Sequence, residues 1–137
     1  MLFRSAAEVH GGSIPGSGER TGHSDVFLLD RPDADSAAET LLTVVTERLV
    51  AKGFDPFVDV QVLAPTRRGP LGTERLNALL QARLNPDGQR LKRGDKSFRV
   101  GDRVLCIRNR YDVEVFNGDV GRVEIGRAHV LNSSHRL

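Results

Sequence analysis

The sequence predicts an α/β fold: part of a parallel sheet, followed by the opening strands of a small β-barrel. Three observations carry this expectation. A helix-like segment lies between two short apolar runs, Val26–Leu29 and Val58–Leu63, which is the pattern of a βαβ unit and so of a parallel sheet. A second amphipathic segment follows across a loop rich in arginine and glycine. Beyond Pro86 the pattern changes to period-2 alternation broken by tight turns, as in short half-exposed strands.

The elements follow in order. Gly11 to Ser24 is dominated by glycine, serine and proline and reads as a loop. Val26-Phe27-Leu28-Leu29 is expected as a buried strand, with a turn around Pro32. Ser36-Ala37-Ala38-Glu39 matches a capping box, in which serine and glutamate satisfy each other's backbone amides. Ala38, Leu41, Leu42, Val45 and Leu49 then fall at helical spacing, and Gly53 suits the left-handed position after a helix end. Val58, Val60, Val62 and Leu63 are close-set aliphatics, as in a strand covered on both faces. Pro65 ends that strand because proline cannot donate to a ladder. Leu76, Leu79, Leu80 and Leu84 form one stripe of a helix that opens near Gly72 or Thr73. Asn85-Pro86 stops it, since the residue before proline avoids the α region.

Asp87 to Lys96 is polar and turn-like and carries Arg90, Lys92, Arg93 and Lys96. Phe98 to Asn109 alternates apolar and charged residues as one half-exposed strand, and Val113, Val115 and Phe116 repeat the signal. Asn117-Gly118 is a strong hairpin dipeptide, and Val120 to Val123 leads out of it. The chain therefore divides into an N-terminal segment and loop (1–25), the partial parallel sheet (26–96), the first barrel strands (97–123) and a tail (124–137). Ile125-Gly-Arg-Ala-His-Val and Leu131-Asn-Ser-Ser-His back-translate into strings resembling a common sequencing adapter, read in two frames joined by a one-base slip. The tail is expected to be non-native.

The totals bound the function. With 137 residues the chain suits one domain, and 39% hydrophobic with 28% charged content fits a globular class. No apolar run approaches the roughly 20 residues of a membrane span, the N-terminus lacks the order of a signal peptide, and the single Cys106 excludes an internal disulfide framework. A cytoplasmic protein without a membrane partner is expected. A net charge of +2 permits a polyanion partner without requiring one, and 5% aromatics with no tryptophan argues against base stacking as the main binding device. His10 and His23 flank a loop, His129 and His135 lie in the tail and Cys106 sits in a strand pattern, so no metal site is expected.

Val60-Gln-Val-Leu-Ala-Pro-Thr-Arg-Arg-Gly-Pro-Leu-Gly-Thr-Glu-Arg-Leu-Asn and Phe98-Arg-Val-Gly-Asp-Arg-Val-Leu-Cys-Ile-Arg-Asn-Arg-Tyr-Asp-Val-Glu-Val-Phe-Asn-Gly-Asp-Val-Gly together resemble RecD-like superfamily 1 DNA helicases, relatives of the alpha subunit of exodeoxyribonuclease V. The resemblance runs from Val26 to Val123 and is weak before Pro15, where Ser5-Ala6-Ala7 stands in place of the family's Asn-Ala-His. It implies two RecA-like motor domains that hydrolyse ATP with Mg²⁺, translocate on single-stranded DNA and unwind duplex in recombination and repair, with nuclease-helicase subunits as candidate partners. This chain would be the middle of the second RecA-like domain and the start of its SH3-like barrel insertion. It has no G-x-x-x-x-G-K-[ST] loop and no magnesium-holding acidic pair, so no catalytic residue is assigned, and no cofactor is expected to bind this piece by itself.

The candidate DNA contacts fall in two stretches. In an open α/β sheet, ligands bind at the loop leaving a strand's carboxyl end. Arg67 and Arg68 stand in such a loop, before a helix N-terminus whose amides and dipole favour anions. They read as DNA-backbone contacts or as a solvated loop. Gly69 and Gly72 serve tight turns or a close approach to phosphate; Thr73 is a helix cap, a phosphate ligand or both; Asn77 is a DNA contact or a surface residue. Arg108, Asn109, Arg110 and Tyr111 form the second cluster, in which a base stacks on Tyr111, or the tyrosine simply closes a strand. Two other classes compete with the helicase reading: a stand-alone non-catalytic nucleic-acid-binding module with an SH3-like barrel, and, last, a small-molecule α/β enzyme. Extending the reading frame upstream separates the first two, a phosphate loop marking the helicase and a stop marking the module.

Overall fold

The computed structural model describes residues 27–125 and, for 127–130, the backbone. The chain divides into two compact units at Leu79, each taken by itself.

In the first unit, helix α1 spans Ala34–Thr43 and continues through a π-helical turn, Val44–Arg48, into a last α turn, Leu49–Ala51. Its cap lies three residues before the expected capping box. Asp33 accepts from the Ser36 amide at 2.8 Å, and the Ser36 hydroxyl donates to the Asp33 carbonyl at 3.0 Å. Asp33 caps better because its side chain is already a carboxylate acceptor at the right offset. The π turn has a local cause. Thr43, Val44, Val45 and Thr46 crowd the helix with β-branched side chains. The Thr46 hydroxyl donates back to the Leu42 carbonyl at 2.9 Å, competing with the ladder. The helix ends as expected at Gly53 (φ 90°): the Phe54 amide reaches the Leu49 carbonyl at 3.0 Å and the Gly53 amide reaches Val50 at 2.9 Å, a Schellman closure. Ala38, Leu42, Val45, Val60 and Leu76 are the buried apolar residues here. A fully buried Leu42 contributes about 1.5–3 kcal/mol.

Among the described residues the expected parallel sheet is not shown; the strands that are shown pair antiparallel. Phe27 to Leu29 lies outside any ladder and is exposed; Val26 falls outside the described residues. Val58 sits in a turn rather than a strand: the Asp55 carboxylate accepts from the Phe57 amide, Asp59 returns a carboxylate to the Asp55 amide, and the Val58 and Asp59 amides donate to the Asp55 carbonyl. Asp55-Pro56 is a turn pair whose carboxylate outcompetes extension. Val60 to Ala64 is neither helical nor paired in a ladder. A parallel strand is defined by a ladder to its neighbours, and among the described residues no ladder includes this segment.

Helix α2 spans Thr73–Leu84. Leu76 is buried and Leu79, Leu80 and Leu84 half-buried, so the expected stripe is the inward face. In the second unit, β1 (Arg90–Arg93) and β2 (Lys96–Arg99) form an antiparallel ribbon in the register Arg90↔Arg99, Leu91↔Phe98, Lys92↔Ser97, Arg93↔Lys96. A separate sheet has the order β3 (Arg103–Leu105), β4 (Val120–Glu124), β5 (Arg127–Val130), all antiparallel. The helix and two small antiparallel sheets are consistent with an SH3-like domain. The single strand expected from Phe98 to Asn109 is two strands. Gly101 takes φ 95°, its amide donates to the Val123 carbonyl at 2.8 Å, and the chain turns there. Val113 and Val115 do not form a strand either. Tyr111–Val113 is a 3₁₀ turn followed by Glu114 in the left-handed region, with one isolated bridge between Arg110 and Val115. At Asn117-Gly118 only the glycine has positive φ, and the Asp119 amide closes on the Phe116 carbonyl at 3.0 Å, giving a type II rather than a type I′ turn. β5 lies in the tail expected to be non-native; its ladder with β4 is made by backbone groups that every residue type except proline supplies in full.

Candidate nucleic-acid interface

The loop from Pro65 to Thr73 folds back on itself. Thr66 donates its hydroxyl to the Arg68 carbonyl at 3.0 Å, and Gly69 takes φ 99°. The Gly72 amide donates to Gly69, the Thr73 amide to Thr66 and the Glu74 amide to Arg67, at 3.0–3.1 Å. Two of the amides expected to welcome an anion at this helix N-terminus, those of Thr73 and Glu74, are therefore already taken by loop carbonyls. Gly72 is required by space. A Cβ there would stand 2.6 Å from the Arg67 carbonyl oxygen and from the Arg68 carbonyl carbon and oxygen. Gly69 faces open space, so its role is conformational. Thr73 is the first helical residue, and loop carbonyls rather than its side chain receive the end amides.

The two arginines differ. Arg67 Nε donates to Glu74 Oε1 at 2.8 Å, an exposed pair in which the cation is already half-neutralised. Arg68 is exposed and has no ion pair among the described residues. Asn77 is exposed on α2. Arg75, which the sequence reading did not single out, joins Asp35 at 2.8 Å and donates to the Pro70 carbonyl at 2.9 Å, tying the loop to the start of α1.

In the second unit the cluster at 108–111 is a braced loop rather than a strand end. Asn109 Nδ2 donates to the Tyr111 hydroxyl at 3.0 Å while its Oδ1 accepts from the Asn117 amide at 2.8 Å. Arg110 grips Asp112 with two bonds of 2.9 and 2.7 Å. That hydrogen bond holds the Asp112 carboxyl below its ordinary range and raises the Arg110 guanidinium. Tyr111 meets Phe116 edge-on at 5.8 Å, yet remains 74% exposed, so one ring face is open to a base. Arg108 is exposed. The structure thus joins Asn109 with Tyr111 directly and diverts Arg110 to a carboxylate.

The largest group of cations lies in the run whose sequence reads as turn-like. Arg90, Lys92, Arg93 and Lys96 are all exposed on the β1–β2 ribbon and make no side-chain hydrogen bond or ion pair among the described residues. The signal was present in their spacing, four cations in seven residues with one carboxylate, Asp95. Their common scaffold appears only once the ribbon register is known. Among the described residues no three His, Cys, Asp or Glu side chains stand together for a metal, and no helix is long and apolar enough to cross a membrane.

This combination, a helix leading into a basic ribbon and a small antiparallel sheet, is consistent with an SH3-like domain. Residues 76–129 match the SH3 domain of ATP-dependent RecD-like DNA helicases, so the match takes in most of α2, the ribbon and the sheet. The chain is also 45% identical over 64 residues to the ATP-dependent RecD2 DNA helicase of Deinococcus radiodurans, an alignment covering 47% of this chain and 9% of that protein. The likeness to RecD-like helicases expected from the sequence is shown over this region.

Proposed function

We propose that this chain is a piece of an ATP-dependent RecD-like DNA helicase and that its own part is contact with the backbone of single-stranded DNA. The match of residues 76–129 to the helicase SH3 domain carries this reading. The parent would hydrolyse ATP with Mg²⁺, translocate on single-stranded DNA and unwind duplex in recombination and repair, in the cytoplasm and with nuclease-helicase subunits as partners. The residues described do not fit ATP and Mg²⁺. The Thr73 and Glu74 amides at the α2 N-terminus are used by the Thr66 and Arg67 carbonyls, and the chain has no phosphate-loop pattern. Nucleotide chemistry is therefore assigned to the rest of the parent. The segments at 26–29 and 58–63 would become strands of a RecA-like sheet when the parent's other strands flank them. This accounts for their apolar composition and for the exposure of Leu63 at 74%.

Fluorescence anisotropy with an oligothymidine across a salt series tests the reading. With two to four phosphates neutralised, log affinity should fall against log salt with a slope of about −1.4 to −2.8. Replacing Arg67 and Arg68 with alanine should flatten that slope. A flat dependence in the unsubstituted chain overturns the proposal.

A further inference from the structure

We infer that the β1–β2 ribbon is a docking element for duplex DNA, its four unpaired cations Arg90, Lys92, Arg93 and Lys96 gripping phosphates along a groove. The inference rests on the DNA-binding reading but concerns a separate site. Residues 90–99 carry five basic side chains against one carboxylate, a local charge of +4 in a chain whose total is +2. Elsewhere the described arginines are often neutralised: Arg67 by Glu74, Arg75 by Asp35, Arg110 by Asp112. On the ribbon they are not.

The register sharpens the point. Arg90 stands directly opposite Arg99, and Arg93 opposite Lys96. Like charges across a ladder destabilise it, and an acidic residue at either position would relieve the strain. A polyanion laid along the ribbon would relieve it equally. Because successive side chains alternate, Arg90 and Lys92 share one face with Arg99, while Arg93 and Lys96 share the other at the hairpin end. Both faces of the ribbon are therefore cationic. Arg99 is spoken for, donating to the Asn85 and Pro86 carbonyls at 2.6 and 2.8 Å, and anchors the base of the ribbon.

Duplex fits this surface better than single strand. The one ring on the ribbon, Phe98, is half-buried, so no exposed aromatic offers the stacking platform that single strands use. A two-stranded ribbon, with strands about 5 Å apart, enters a major groove about 12 Å wide, where cations on both faces meet the two flanking backbones. Contacts of this kind position the protein without reading sequence.

The test uses the full 137-residue chain and two probes, a blunt hairpin duplex and an oligothymidine. In the quadruple variant Arg90→Gln, Lys92→Gln, Arg93→Gln, Lys96→Gln, duplex affinity should fall about tenfold or more and the duplex salt slope should shrink by roughly 2 to 4, with oligothymidine binding within about twofold. A companion variant exchanging Arg90 and Arg93 for lysine should keep the duplex slope. Circular dichroism should show both folded, since the quadruple change removes repulsion. Unchanged duplex affinity in the folded quadruple variant overturns the inference, as does an equal loss on both probes. An unsubstituted chain that binds oligothymidine but not duplex also overturns it and leaves the proposed function standing. The reverse result, duplex binding through the ribbon with no oligothymidine binding, overturns the single-strand proposal instead.

Discussion

Asn85 and Asp102 hold the second unit together at the point where helix gives way to sheet. Asn85 Nδ2 donates to Asp102 Oδ1 at 2.8 Å and to the Val100 carbonyl at 2.9 Å. The other Asp102 oxygen accepts from Gln81 Nε2 at 2.6 Å and from the Arg99 amide at 2.7 Å. One carboxylate thus joins the last turn of α2, the end of β2 and the bend before β3. The Asp102 carbonyl extends the connection by accepting from the Val123 amide on β4 at 2.9 Å.

Replacing Asn85 with alanine should destabilise this unit by about 1–3 kcal/mol, because Asp102 and the Val100 carbonyl lose a shared donor while remaining part-buried. Urea unfolding followed by circular dichroism measures it. Gly101 and Val104 amide exchange should accelerate in the same variant.

Gly72→Ala should open the Pro65–Thr73 loop. The added carbon meets backbone atoms of Arg67 and Arg68 at 2.6 Å, which cannot rotate away as a side chain would. A cost of about 1–3 kcal/mol is expected from the overpacking, with faster exchange of the Thr73 and Glu74 amides as the local signature. Gly69→Ala, in open space but at φ 99°, should strain the backbone without that collision.

Glu74→Gln should strengthen single-strand binding. It removes a carboxylate and frees Arg67 from its 2.8 Å pair, so the salt slope should steepen by up to about 0.7. By the same reasoning Arg68→Ala should weaken binding more than Arg67→Ala. Equal effects of the two arginine variants would show that the ion pair does not withhold Arg67.

The Arg110–Asp112 pair has a defined pH sense. The hydrogen bond from Arg110 depresses the Asp112 pKa in the folded chain, so its stabilising contribution is present above the unfolded carboxylate value and is lost as pH falls through the lower folded one. Carboxyl-carbon NMR titration should place the Asp112 midpoint below the ordinary range, and Arg110→Gln should return it upward.

What the sequence determined by itself is local. Gly53 closing α1, the leucine stripe of α2, the stop at Asn85-Pro86 and the turn at Gly118 follow from backbone preferences and helical spacing, which neighbouring residues settle among themselves. The family likeness was equally legible, because it rests on residue order. The tertiary structure decided what distance along the chain conceals: that Asp102 meets Gln81 and Asn85, that Arg67 is held by Glu74, and that four cations share one ribbon. It also decided where strands exist. Val58 to Leu63 has the composition of a strand, but a strand is completed by a ladder to a neighbour; at Val58 the Asp55 carbonyl takes the amide instead, and no ladder through Val60 to Leu63 is shown among the described residues.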